Sequence, residues 1–231
     1  MRNLKNILLS LIIAFSTSSF SEVAEVYQWK AFPGKSMEMM ESMLKAAEIH
    51  EKQGAKVAID VHNVGSTQLV NYVLRWDDSK SYAASKDIQA SSDEWVEFWA
   101  EAHQNPSGEM MASFSANNLD QSRKASDFDG SYVYSVNVWK VETGKDMELI
   151  QRFMSSKPIL EKAGARVEIY QANWGAPGEY HYVLMFDSWS ALEESFSKLG
   201  PGSEWAAYMQ SRADDEIIAE QTAWFTGQTA N

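Results

Sequence analysis

Between Lys56 and His62, apolar Val57, Ile59 and Val61 alternate with Ala58, Asp60 and His62. A period of two marks a strand whose one face lies against a helical layer. Leu69 to Trp76 continues the pattern after a Val64-Gly65-Ser66-Thr67 turn, so the two runs predict a hairpin. Ahead of them, Glu25 to Ala31 is a short run rich in Val, Tyr and Trp, ended by Pro33-Gly34. Ser36 to Gln53 then carries Met and other apolar residues at helical spacing. Ser36 is placed as its N-cap and Gly54 at its C-terminal end. Downstream, Asp77 is read as the cap of a second helical region carrying Trp95, Phe98, Trp99 and Ala102, and Met110 to Ser115 as a last strand.

The order recurs. VYQWKAFPGKSMEMM around Trp29 is answered by VNVWKVETGKDMELI around Trp139, 110 residues later. At the same offset EKQGAKVAI answers EKAGARVEI, NYVLRWDD answers HYVLMFDS, and Glu94-Trp95 answers Glu204-Trp205, with no gap required. An internal duplication produces such an echo. The second copy then has strands at Tyr132–Val141, Arg166–Asn173, Tyr180–Phe186 and Glu220–Thr226. It has a helix at Asp146–Ala163, capped by Asp146, and a helical region after Asp187 carrying Trp205, Tyr208 and Met209. Asp120 to Gly130 is polar and aperiodic and reads as a linker. The expected organisation is a targeting segment at 1–21, a first repeat at 22–119, a linker at 120–130 and a second repeat at 131–231.

The order β-α-β-β-α-β is the ferredoxin-like unit. Its sheet has helices on one face only, and two units in one chain can cover each other's open face. The predicted fold is therefore α+β, with two tandem ferredoxin-like repeats packed sheet to sheet into an α+β barrel. The strand–Gly-Lys–helix openings, the GAKVAI and GARVEI strand entries, and the YVLRWDD and YVLMFDS junctions resemble the dimeric α/β-barrel superfamily, which includes the antibiotic-biosynthesis-monooxygenase-like domains. That resemblance spans nearly all of the chain after the targeting segment. It implies a fold, while its members include cofactor-independent monooxygenases, haem-degrading enzymes, isomerases and ligand-binding regulators. The haem-degrading members use an Asn, Trp and His constellation that finds no position-by-position match here, so no catalytic residue is carried over.

Composition narrows the classes. Arg2 and Lys5 precede the apolar run Ile7–Phe15, and Ser19-Phe20-Ser21 offers a small-x-small cleavage signal, so the start reads as a signal peptide of an exported, periplasmic or secreted protein. An uncleaved anchor is the other reading of that segment. With no cysteine there is no disulfide and no thiolate metal site. A formal net charge of −12 disfavours nucleic acid and anionic membrane as partners. No HxH, HExxH or GxSxG motif is present and Asp60-x-His62 is the sole ligand-like spacing, so a metal site is poorly supported and a serine nucleophile only weakly. Nothing in the residues calls for a cofactor. The state is expected to be monomer or homodimer.

Strand parity supplies the candidate site. If Val57, Ile59 and Val61 face the helices, Asp60 and His62 face the barrel interior. With Tyr72, Leu74 and Trp76 on the helix side, Asn71, Val73 and Arg75 point inward. The same rule turns Glu168, Tyr170 and Ala172 inward, together with His181, Val183 and Met185. The inward set is mixed polar and aromatic, as a small-molecule pocket is. Asp60, Asn71, Arg75, Glu168 and Tyr170 are the expected ligand-binding residues. His62 and His181 are the candidate bases, each also readable as a merely hydrogen-bonded or exposed histidine. Neither has a His at its repeat-mate position (Ala172 and Asn71). His50 and His103 are read as surface residues. The echoed Trp29, Trp139, Trp95 and Trp205 are read as core, Trp99, Trp174 and Trp189 as pocket-rim candidates, and Met37, Met39, Met40 and Met43 as core filling.

These observations lead to a protein that binds a small, partly apolar molecule in the barrel. A cofactor-independent monooxygenase-like enzyme and a ligand-free structural or interaction module are the alternatives.

Overall fold

The computed structural model describes residues 21–66 and 68–230, so the segment read as a targeting signal, apart from Ser21, lies outside the described residues. Eight antiparallel strands close into a barrel: β1 (Val23–Ala31), β2 (Lys56–His62), β3 (Leu69–Trp76), β4 (Gly108–Asn118), β5 (Val133–Val141), β6 (Arg166–Ala172), β7 (Glu179–Phe186) and β8 (Ala219–Thr229). Their order around the barrel is β1-β3-β2-β8-β5-β7-β6-β4. Among the described residues six helices lie outside: α1 (Ser36–Lys52), α2 (Ser79–Ala90), α3 (Asp93–Gln104), α4 (Asp146–Ala163), α5 (Trp189–Ser197) and α6 (Glu204–Ser211). The two-repeat ferredoxin-like barrel is thus the fold. Each second helical region is a pair of helices rather than one.

The helix-facing cores follow the predicted periods. In α1, Met39, Met43 and Ala46 sit at i, i+4 and i+7 and pack on Ile59, Val70, Tyr72, Leu74 and Trp76. In α4, Leu149, Phe153 and Leu160, at i, i+4 and i+11, pack against Val167, Ile169, Tyr182 and Leu184. Met37 is not core: its side chain is exposed at the start of α1.

Several local expectations need correction. Lys35 and Lys145, not Ser36 and Asp146, occupy the N-cap positions of α1 and α4, and neither side chain caps. Asp78 and Ser188 cap α2 and α5, accepting from Ser81 N and Ala191 N. Asp77 instead accepts from Ala125 N at 2.9 Å. The final strands are longer than predicted. Because Ala31 pairs with Gly108 while Val141 pairs with Ala219, the repeat offset grows by one residue before β4 and β8. The 120–130 segment is more than a polar tether, since its short 3₁₀ turn Ala125–Phe128 buries Phe128.

The seams between repeats are short. Strand β2 meets β8 over Asp60–His62, and β4 meets β6 over Ala116–Asn118. Each seam is extended by the neighbouring hairpin turn. Asn63 N bonds Thr226 O at 2.7 Å and Thr226 N bonds Val64 O at 2.8 Å. On the opposite seam, Asn173 N bonds Ser115 O at 2.7 Å and Ser115 N bonds Trp174 O at 2.9 Å. Gly65 and Gly175, both at φ +88, sit so close to the facing strand that a Cβ would strike the carbonyl oxygen of Trp224 or Ser113. Both turns therefore require glycine for backbone angle and for space. Gly65→Ala and Gly175→Ala should each destabilise the fold by about 2 kcal/mol or more, read as a lowered urea midpoint. An unchanged midpoint would mean that the seams do not depend on this approach.

Candidate functional site

The inward faces of both repeats enclose a cavity of about 360 Å³. Its apolar wall comes from Val26, Val73, Val136, Val138, Val183 and Met185, with Phe114 and Phe225. Asp60, Asn71, Arg75, Tyr170 and His181 line it, as do Tyr132 and Tyr134. His62 and Glu168 are not part of its wall. His62 is buried and stacks on Phe225 at 4.3 Å between ring centroids, with both ring nitrogens lacking a hydrogen-bond partner. Glu168 is satisfied at one end of the barrel, accepting from Asn118 at 2.9 Å and Arg166 at 2.7 Å and pairing with Arg123 at 2.9 Å.

The charged centre is Arg75. Its Nη1 donates to Glu22 Oε1 and to the Tyr170 hydroxyl, both at 2.7 Å. Tyr170 in turn donates to Glu22 Oε2 at 2.9 Å, and Asn118 Nδ2 donates to the same oxygen at 3.2 Å. The guanidinium also lies 4.1 Å from the Phe128 ring centroid. Glu22 is fully buried. It escaped the sequence reading because it stands at the edge of the supposed targeting segment, where no period marks it as a strand residue.

Asp60 is different. It is 6% exposed, and its Oδ1 has no hydrogen-bond partner. Burial pushes its carboxyl up to about 6, and nearby Arg75 and Tyr132 only partly oppose that. The Tyr132 hydroxyl lies close enough to hold the value down, but its geometry makes no hydrogen bond. The Tyr134 hydroxyl is likewise unpaired, and burial raises both phenols. At the other side of the cavity, burial pushes His181 down to about 4, so it is neutral at pH 7. It stacks on Phe114 at 4.7 Å, and its Nε2 lies 3.9 Å from Glu179.

A second cavity of about 450 Å³ lies outside the barrel, between the sheet of the first repeat and helices α1 and α3. Trp29, Tyr72, Met39, Met43, Trp95, Phe98 and Trp99 surround it. At its floor is His50, which is buried and not a surface residue. Its Nδ1 is 2.8 Å from the Tyr72 hydroxyl, its Nε2 is 2.7 Å from the Gln89 amide nitrogen, and its ring is 4.4 Å from that of Trp95. Burial holds it down at about 4. Its place was legible: His50 continues the Met39–Met43–Ala46 stripe of α1 at i+11, where the second repeat has Leu160. His103 is exposed, and its Nδ1 lies 2.8 Å from the Trp99 carbonyl. Of the three rim tryptophans, Trp99 lines this second cavity, Trp174 is 73% exposed, and Trp189 donates to Gln228 at 2.7 Å. Among the described residues no group of three or more His, Asp or Glu is arranged to hold a metal ion, and no helix is long and apolar enough to cross a membrane.

Barrel, helix layer and strand order define the dimeric α/β-barrel fold, with both halves supplied by one chain. Solved structures share it across almost the full length. A provisionally named monooxygenase from Fusobacterium nucleatum superposes with TM-score 0.61 at 11% identity, covering 92% of this chain and 94% of that one. An anthrone oxidase-like protein superposes at 0.54 with 13% identity, covering 91% and 92%. A provisionally named chlorite dismutase superposes at 0.55 with 11% identity, covering 91% and 95%. Identities this low speak for the fold alone. No family model matches the sequence, and no curated protein does.

The state of Asp60 has a measurable consequence. Its carboxyl titrates higher in the folded chain than in an unfolded one, so the folded form binds the proton more tightly. Stability contributed by this group is therefore greatest at low pH and is lost as pH rises from about 4 through about 6. Asp60→Asn removes that penalty, on the order of 2 kcal/mol at pH 8. The variant should melt above the wild type at pH 8, with the gap closing toward pH 4. A lower melting temperature at pH 8 would show that the carboxylate is paired and stabilising.

Proposed function

We propose that the protein binds a small, partly apolar molecule inside the barrel. What supports this reading is the convergence of unpaired buried polar atoms on one cavity: Asp60 Oδ1, Asn71 Oδ1, Arg75 Nε, the hydroxyls of Tyr132 and Tyr134, and His181 Nε2. Each costs about 1–3 kcal/mol when left without a partner in a dry interior, so a packing role does not explain them together. A ligand with a polar end near Asp60 and an apolar body along the valines would satisfy both kinds of wall. The volume suits a molecule of one or two rings.

The test is a thermal-shift screen of one- and two-ring compounds, followed by a cavity block. A ligand at a hundredfold its dissociation constant should stabilise the protein by about 2.7 kcal/mol. Val183→Trp, which fills the apolar wall, should abolish that shift while leaving the far-ultraviolet circular dichroism unchanged. Ligands that still bind the blocked variant would move the site out of the barrel.

A second reading is a cofactor-independent oxygenase-like enzyme, and the aromatic cavity over His50 is the observation that favours it. Several proteins of the same fold carry monooxygenase or oxidase names. In this reading a polycyclic phenol would lie against Trp95 and Trp99 with the neutral His50 accepting a proton, or in the barrel cavity with His181 accepting it. Oxygen uptake with phenolic and anthrone-type substrates is the measurement. Loss of uptake in His50→Ala or His181→Ala would support an enzyme, and no uptake by the wild type would remove the reading. Residues 1–21 support export to the periplasm or beyond. Cell fractionation with N-terminal sequencing of the recovered chain tests that, and an intact Met1 in the cytoplasmic fraction would reject it.

A further inference from the structure

The barrel cavity is not electrically balanced. Arg75 carries one positive charge, but its Nη1 is already committed to the buried Glu22 carboxylate and to Tyr170. That leaves the Asp60 carboxylate as a second anionic group beside one guanidinium, with an oxygen that has no partner. Glu179, on the opposite side near His181, adds a second carboxylate to the cavity wall. The surrounding phenols of Tyr132 and Tyr134 present electron-rich rings, 6.2 Å apart between centroids. Rings of this kind beside a carboxylate that Arg75 answers only in part attract a cation. An anionic ligand would instead face uncompensated negative charge in a low-dielectric space.

We propose that the barrel takes a small aryl- or alkyl-ammonium compound, its charged nitrogen held by Asp60 between Tyr132 and Tyr134 and its apolar body lying along Val183 and Met185. This rests on the barrel-ligand reading above and adds the sign of the ligand's charge. Both repeats contribute to the ammonium site, with Asp60 coming from the first and the two phenols from the second. At the position equivalent to Asp60 the second repeat has Tyr170, so the charge exists once in the barrel.

Isothermal titration calorimetry with three probes of matched shape tests it: 2-phenylethylamine, which is an ammonium ion at pH 7.5, neutral 2-phenylethanol, and anionic 3-phenylpropanoate. The amine should bind at least about tenfold more tightly than the alcohol, and the carboxylate most weakly. Asp60→Asn should weaken the amine by at least about tenfold and leave the alcohol within about threefold. Val183→Trp should remove binding of the amine and the alcohol alike. Equal affinity for amine and alcohol, preference for the carboxylate, or an amine affinity unchanged in Asp60→Asn would overturn the ammonium assignment and leave the barrel-ligand reading standing. Amine binding unaffected by Val183→Trp, or no binding by any probe, would overturn both.

Discussion

A ferredoxin-like sheet with helices on one side has a second face that must also be taken out of water, and this chain depends on how that face is covered. The two repeats turn those faces toward each other and close the sheet edges into a barrel, which removes the free edges where the seams form. Each seam carries only a few strand pairs. The hairpin turns reinforce them by pressing Gly65 against β8 and Gly175 against β4, an approach made possible by the missing side chains. The outer helices pack their apolar stripes on the sheet of their own repeat. The inner core of Tyr134, Val136, Val138, Tyr170, Met185 and Phe225 exists only when the sheets meet.

Closure has an electrostatic consequence. Residues on the inner face lose water, so every polar group there must find a partner or raise the energy of the folded state. The repeats have resolved this unequally. Glu22, Asp60 and Arg75 in the first repeat stand where the second has Tyr132, Tyr170 and Met185. Glu22, Arg75 and Tyr170 are joined by hydrogen bonds across the barrel. Asp60 is left out, with burial raising its carboxyl toward neutrality. A buried carboxylate whose burial cost its neighbours only partly offset is the kind of group that sites retain for binding or proton transfer. That is why the barrel, rather than the larger aromatic cavity over His50, leads the functional reading: both nitrogens of His50 already have partners.

Much of the architecture was legible because it rests on local periods. The alternation around Val57, Ile59 and Val61 set the hairpin and its parity, and parity alone turned Asp60, Asn71, Arg75, Tyr170 and His181 toward one space. Helix ends were less legible, since Asp77 and Asp78 are equally good caps by type and only the backbone path selects Asp78. The extra residue before β4 and β8 falls where the echo weakens. Glu22 and Phe128 lie outside any periodic run, and they acquire their roles only by reaching Arg75 from distant parts of the chain.

By itself, the amino-acid sequence determined the repeated element order, the two helix-facing cores and the set of side chains on each strand's inner face, because these depend on neighbours within a few positions. Tertiary structure alone decided which inward residues meet. It paired Arg75 with Glu22 and Tyr170, isolated Asp60 beside Tyr132 and Tyr134, sent Glu168 to the barrel end, and buried His50 under Trp95. Those outcomes follow from strand stagger and barrel closure, which join residues as much as 148 positions apart, as in the Tyr170–Glu22 hydrogen bond. No local pattern carries that information.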